Sequence, residues 1–253
     1  MPLPLSQLII IVLLFFVTTV IGVVTGSNSL ITVPVMFQFG IDEKVAVATN
    51  MFGLTFMAIG ATIPFFRQGS IDVRKLSPLI VVTIVGSAIG AVLVGLITNQ
   101  AIKIIMSVAM IAVVIFTLVR RDRREPGVVD GGALQISWLV VLLTFLLAIY
   151  GGLYSGGYVT VLTAVLIAFG GLSFTNSIAA TKAINVFSSG IATLLFMWQG
   201  LVDYTLGIIL AVTMFAGAFA GAHFVTRLNE LWLRRIFLAT VFILAIKTLS
   251  DLI

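Results

Sequence analysis

The 253-residue chain contains no cysteine and one histidine, His223. Disulfides, thiolate metal ligands and cysteine nucleophiles are thereby excluded, and a multi-histidine metal site has no ligands to draw on. Charge is scarce as well. Only 9% of residues are Asp, Glu, Lys or Arg, while 60% are apolar and the mean hydropathy is +1.25. No soluble domain needs such a composition; a polytopic membrane protein does. The long uncharged stretches hold no Asp or Glu, so no carboxylate is placed at depth to carry protons or bind sodium. An intramembrane enzyme would need a nucleophile–base pair or a metal cluster there, and the same absences argue against one. No cofactor is expected. The N-terminus also lacks the basic stretch and small-residue cleavage site of a secretory signal, and reads as a first membrane segment.

What charge there is cuts the chain into crossings. Residues 2–41, 45–66, 76–102, 104–119, 131–181, 183–202 and 204–226 carry no charged residue. A helix needs about 20 residues to cross the hydrocarbon core. Six segments suit single crossings: 45–66, 76–98, 101–119, 177–198, 204–225 and 231–250. Residues 3–40 and 134–170 are too long for one crossing and short for two. Each carries a small, polar break, Thr25-Gly26-Ser27-Asn28-Ser29 in the first and Ser155-Gly156-Gly157-Tyr158 in the second. Freed backbone groups at membrane depth are tolerated only beside protein or a wet cavity, so both segments read as broken helices or re-entrant hairpins. Simple kinks or close helix packing are the blander alternative.

The expected fold is therefore an all-α polytopic membrane protein, and its halves repeat one another. Phe39-Gly40 recurs as Phe169-Gly170, and Gly26 as Gly156. Ala48-Thr49-Asn50 recurs as Ala180-Thr181-Lys182, and Gln68-Gly69 before Asp72 as Gln199-Gly200 before Asp203. The pair Gly86/Gly90 recurs as Gly217/Gly221, all at offsets of 130 to 132. An ordered series at a nearly fixed offset describes a duplicated four-element unit: residues 1–119, a basic linker at 120–133, and residues 134–253. The Gly-x-x-x-Gly pairs suit tight helix packing. Asp72 and Asp203 suit helix caps, and Trp138, Trp198 and Trp232 suit interfacial anchors.

A net charge of +5 would suggest nucleic acid on a soluble protein, but here the positives sit in short loops and report topology. The linker, with Arg120, Arg121, Arg123 and Arg124, is expected on the cytoplasmic side of the inner membrane. The loop with Arg67, Arg74 and Lys75 joins it there. Its counterpart in the second half holds only Asp203, and the next loop, with Arg227, Arg234 and Arg235, is the basic one. Equivalent loops prefer opposite sides, which implies inverted repeats. That plan recurs in secondary transporters, with substrate held at the repeat interface near mid-bilayer.

One residue breaks the longest uncharged region. Lys182 stands between 131–181 and 183–202. A cation near the bilayer centre costs at least ~2.5 kcal/mol on insertion scales and usually faces protein or a wet cavity. With Thr181 and Asn185 it reads as an anion-binding position; a lysine snorkelling to the headgroups is the alternative. Thr49 and Asn50 are the matched pair in the first half, able to bond an anion or simply a neighbouring helix. Ser27, Asn28, Ser29, Ser155, Gly156 and Gly157 supply hydroxyl, amide and backbone donors at the breaks, where helix N-termini favour anions. The candidate site thus comprises Gly26, Ser27, Asn28, Ser29, Thr49, Asn50, Ser155, Gly156, Gly157, Thr181, Lys182 and Asn185. With no carboxylate at depth, the membrane potential suffices to drive an anion outward.

The glycine-bearing break, the apolar run to Phe-Gly, and then Ala-Thr-Asn or Ala-Thr-Lys, all repeated around a basic linker, resemble the sulfite/organosulfonate exporter family of TauE/SafE type. The resemblance spans essentially the whole chain. It implies an inner-membrane permease moving sulfite, sulfoacetate or related sulfonates, with both breaks and the Thr49/Asn50 and Thr181/Lys182 positions lining the route. The partners to expect are the small anion and the lipid bilayer, with a homodimer as the candidate assembly. An anion channel, or an importer of another small anion, is the other reading within transport.

Overall fold

The computed structural model describes residues 4–26, 28–67, 72–119 and 134–224, and every regular element among them is helical. Nine helices follow in order: α1 Leu5–Thr25, α2 Ser29–Gln38, α3 Glu43–Arg67, α4 Val73–Leu96, α5 Asn99–Val119, α6 Trp138–Leu153, α7 Tyr158–Ala168, α8 Phe174–Trp198 and α9 Tyr204–Phe224. Five are long and apolar enough to cross a membrane, namely α1, α3, α4, α8 and α9. The linker, the segment 231–250 with Trp232, and the basic residues beyond position 224 lie outside the described residues, as does the His223 side chain.

Both anomalous segments are broken helix pairs. Residues 3–40 become α1 and α2, and 134–170 become α6 and α7. The breaks fall at glycine for a backbone reason. Gly26 ends α1 at φ +76° and Gly157 precedes α7 at φ +84°, left-handed values that a side chain disfavours. The partners are unequal: α1 has 21 residues and α2 only 10, against 16 and 11 for α6 and α7. The second pair doubles back, for the Gln135 N–H donates to Gly170 O at 3.0 Å and ties its open ends together.

Local signals set several ends. The Asp72 carboxylate accepts from the N–H groups of Arg74 and Lys75 at 3.1 and 3.3 Å, and Asp203 accepts from Leu206 at 3.0 Å. Both are caps, as the sequence leads one to expect. Trp138 and Trp198 stand exposed at helix ends, 75% and 81% accessible.

Packing follows the glycines. A Cβ on Gly90 would lie 2.0 Å from Ile149 O, and one on Gly152 2.1 Å from Ser87 O, so α4 and α6 touch backbone to backbone. Gly217 and Gly221 meet Phe16 O and Val20 O in the same way, joining α9 to α1. Contacts advance in the same direction along both pairs, so α6 runs parallel to α4 and α1 to α9. α3 packs on α9 and α8 on α4, while α3 and α8 pack on each other at the centre. Exchanging α1–α4 for α6–α9 reproduces this set of contacts. Apolar side chains such as Leu13, Val81, Leu194 and Val212 face outward, as lipid-facing surfaces do.

Candidate functional site

The two breaks meet. A Cβ on Gly26 would sit 2.9 Å from Val159 Cγ1 and 3.1 Å from the Thr160 nitrogen, so the first break rests on the first turn of α7. From the other side the Tyr154 hydroxyl donates to Ser29 O at 3.0 Å. Tyr150, one turn earlier, donates to Gly156 O and braces the second break from within its own segment. Its ring stands edge-on to that of Tyr154 at 6.3 Å. α2 and α7 both begin here, α7 from Gly157, which has no side chain to cap it. Two half-helix N-termini, positive by their dipoles, therefore meet at one place.

α3 and α8 bring the remaining groups. Asn50 is 2% exposed and holds the first turn of α2: its Nδ2 donates to Ser29 Oγ at 3.0 Å and its Oδ1 accepts from Thr32 Oγ1 at 2.7 Å. In the second half the Thr163 hydroxyl bonds Thr181 Oγ1 at 3.1 Å, and Thr181 also donates to Ser177 O at 2.6 Å. Thr32 and Thr163 each tie a short half-helix to the long helix that follows it.

Lys182 is the only charged side chain buried among the described residues, at 3% exposure. It does not snorkel. Its Nζ donates at 3.2 Å to Gly22 O in the last turn of α1, a carbonyl that already accepts from the Gly26 N–H at 2.8 Å. Asn28, 3% exposed, packs against the same turn of α1, with Nδ2 at 3.4 Å from Thr19 Oγ1 and Oδ1 without a partner. A carbonyl at the negative end of the α1 dipole thus receives the ammonium.

Among the expected site residues, Gly26, Asn28, Ser29, Asn50, Gly156 and Gly157 gather at the paired breaks, and Lys182 reaches them from α8. Ser155 is buried there, its carbonyl accepting from the Tyr158 N–H at 3.2 Å. Asn185 is buried one turn beyond Lys182, and its carbonyl accepts from Ser189 Oγ at 2.6 Å. Thr49 points elsewhere: its hydroxyl accepts from the Asp203 N–H at 3.0 Å, at the start of α9. One position along α3 turns a side chain by about 100°, so Thr49 and Asn50 cannot both face the break. Ser27 lies outside the described residues. Sequence reasoning passed over Tyr150, Tyr154, Thr32 and Thr163. The threonines carried a readable signal, a matched pair of hydroxyls in two apolar half-helices. The tyrosines carried a weaker one, an i, i+4 pair of polar rings just before a break. No group of three or more His, Asp or Glu suited to a metal ion occurs among the described residues.

A family model described as "Sulfite exporter TauE/SafE" matches residues 10–248. A probable membrane transporter protein of Escherichia coli (strain K12), YfcA, is 25% identical over 252 residues, covering 94% of this chain and 89% of that protein. The probable membrane transporter protein ORF9 of Sinorhizobium sp. is 23% identical over 238 residues, 93% of this chain and 90% of the relative. A probable membrane transporter protein of Haemophilus influenzae is 22% identical over 243 residues, 93% and 92% of the two chains. No solved structure matches the chain significantly.

Proposed function

The chain belongs to the sulfite exporter TauE/SafE family, and from that premise we propose that it is a secondary transporter, not an enzyme, exporting a small sulfur-containing oxyanion across the cytoplasmic membrane. Sulfite, sulfoacetate and related organosulfonates are the substrate class. The observation that carries the reading is the meeting of the two breaks, where the N-termini of α2 and α7 come together near the buried Lys182 ammonium. Backbone N–H groups at such ends favour an oxyanion. Asn50, Ser29 and Lys182 stand within a turn or two to receive its oxygens.

The transport cycle we infer is alternating access about two inverted repeats, residues 1–119 and 134–253, with the linker 120–133 in the cytoplasm. The exchangeable helix contacts support the duplication, and the doubled-back α6–α7 pair supports the even number of crossings that inversion requires. Driving force comes from the membrane potential. An anion leaving a negative interior gains ~2.3 kcal/mol per charge per 100 mV, about 4.6 for a divalent one. The test is ligand-dependent stabilisation of purified protein by sulfite, sulfoacetate, taurine and acetate, wild type beside Lys182→Ala. Sulfite or a sulfonate should raise the wild-type unfolding temperature, and the substitution should remove the effect. Equal shifts in both proteins would take Lys182 out of the site, and no shift with any sulfur anion would remove the substrate class.

A further inference from the structure

We propose that α4, α6, α7 and α8 enclose a site for one bound water, held between the Thr83, Tyr158 and Ser188 hydroxyls. The side chains gathered there are polar but uncharged. Thr83, Ser87, Thr144, Tyr158 and Ser188 are each 2% exposed or less. Gly86 sets the crossing of α4 and α6, for a Cβ on it would lie 2.8 Å from both Ala148 Cβ and Phe145 O. Beside it, Ser87 Oγ donates to Ala148 O at 3.2 Å. The two helices run parallel, so Thr83 and Thr144, one turn earlier on each, stand level with one another. The Tyr158 ring lies over Gly151, where a Cβ would come within 2.8 Å of it, and its hydroxyl faces Ser188 and Thr83. Three of these oxygens, Thr83 Oγ1, Thr144 Oγ1 and Tyr158 OH, have no hydrogen-bond partner.

Proton counting names the ligand. A hydroxyl has one proton to donate. Ser87 gives its own to Ala148 O, so in the 2.7 Å contact between Ser87 and Ser188 the donor is Ser188. Ser188 therefore offers lone pairs only, while Tyr158 and Thr83 each hold an unplaced proton. An anion would be repelled by the Ser188 lone pairs, and a cation would leave both protons unmatched. Water donates to Ser188 and accepts from Tyr158 and Thr83, the two to four bonds a buried molecule usually makes. Thr144 stands at the edge as a fourth hydroxyl. Because α4 lies in the first half of the chain and the other three helices in the second, this water joins the halves behind the first turn of α7. On the transport reading Tyr158 is thereby a positioning residue for the α7 N-terminus; the water site itself does not rest on that reading.

Thermal unfolding of the purified chain tests the site through Tyr158→Phe, Thr83→Val and the double variant, which delete hydroxyls at nearly constant volume. Each single substitution should lower the unfolding temperature by roughly 2–4 °C, the worth of one hydrogen bond in a chain of this size. The double variant should fall by less than the sum, because both changes lose the same water. In a dry cluster, deleting an unpaired hydroxyl relieves its burial. An unchanged or raised temperature for Tyr158→Phe therefore overturns the proposal, even where Thr83→Val does not fold, and strictly additive losses overturn the sharing. Exchanging sodium for choline, or chloride for gluconate, should leave the wild type unmoved. A saturable shift with either ion that Tyr158→Phe abolishes would put that ion in place of the water. A crystal map that resolves waters should show one peak within hydrogen-bonding reach of all three oxygens; direct bonds from Tyr158 to Thr83 and Ser188 without a peak would contradict it. Absence of sulfite binding would remove the substrate and leave these outcomes as they are.

Discussion

Gly90→Ala is the substitution whose effect can be worked most directly from the structure. The added carbon would sit 2.0 Å from Ile149 O, 2.7 Å from the Leu153 nitrogen and 3.0 Å from Gly152 C, all of them backbone atoms. Ordinary contact between such atoms is about 3.5 Å, so α4 and α6 must separate by up to about 1.5 Å at their crossing. No side chain can swing aside to relieve it. Overpacking of this kind costs roughly 1–3 kcal/mol. Gly190, inside α8, has nothing within 4 Å of a built Cβ, and its backbone is ordinary helix. Alanine there should be neutral or stabilising by up to roughly 1 kcal/mol, the usual helix-interior difference. Gly53 falls between: its Cβ would meet Met214 Sδ at 2.6 Å, a flexible tip that can move. Thermal unfolding of the three variants in one detergent should rank Gly190→Ala above Gly53→Ala above Gly90→Ala. A Gly90→Ala protein as stable as Gly190→Ala would refute the backbone-to-backbone crossing.

Three further outcomes follow from single contacts. Tyr154→Phe removes the hydrogen bond to Ser29 O between the breaks, so stability should fall by about 1 kcal/mol, with Ser29 and Asn28 amides exchanging faster with deuterium. Glu43 and Lys103 form an ion pair of 2.6 Å at a partly exposed helix end; Glu43→Gln should cost roughly 0.2–1 kcal/mol, and less in high salt. The Asp72 carboxyl is held below its ordinary value, chiefly by the hydrogen bond from the Lys75 N–H. A depressed carboxyl contributes stability above its unfolded pKa and loses it as pH falls through the folded one. Asp72→Asn should accordingly flatten the acid limb of a stability-versus-pH curve and leave its neutral-to-alkaline shape unchanged.

The sequence made the helices legible because membrane crossings are bounded by charge. Arg67, Asp72 and Asp203 mark ends that the structure places within a residue or two. The breaks were legible because Gly26 and Gly157 stand where only left-handed backbone turns the chain. The Gly-x-x-x-Gly pairs were read as packing surfaces, and α4–α6 and α9–α1 meet through them. What stayed hidden are partners distant in sequence. Gly22 O receives Lys182 across 160 positions, and Ser29 O receives Tyr154 across 125. A backbone carbonyl has no residue type to announce it. Thr49 is a further case: its hydroxyl meets the Asp203 N–H across 154 positions, a backbone partner that no residue type announces.

Efflux from proteoliposomes loaded with sulfite tests the central claim most directly. Purified protein is reconstituted, a valinomycin-set potassium potential is imposed, and efflux is followed for wild type and Lys182→Ala. An interior-negative potential should accelerate saturable efflux by the wild type, with no requirement for sodium or a proton gradient, and Lys182→Ala should be inactive. Strictly proton-dependent movement into the vesicles, indifferent to potential and to Lys182, would contradict the account.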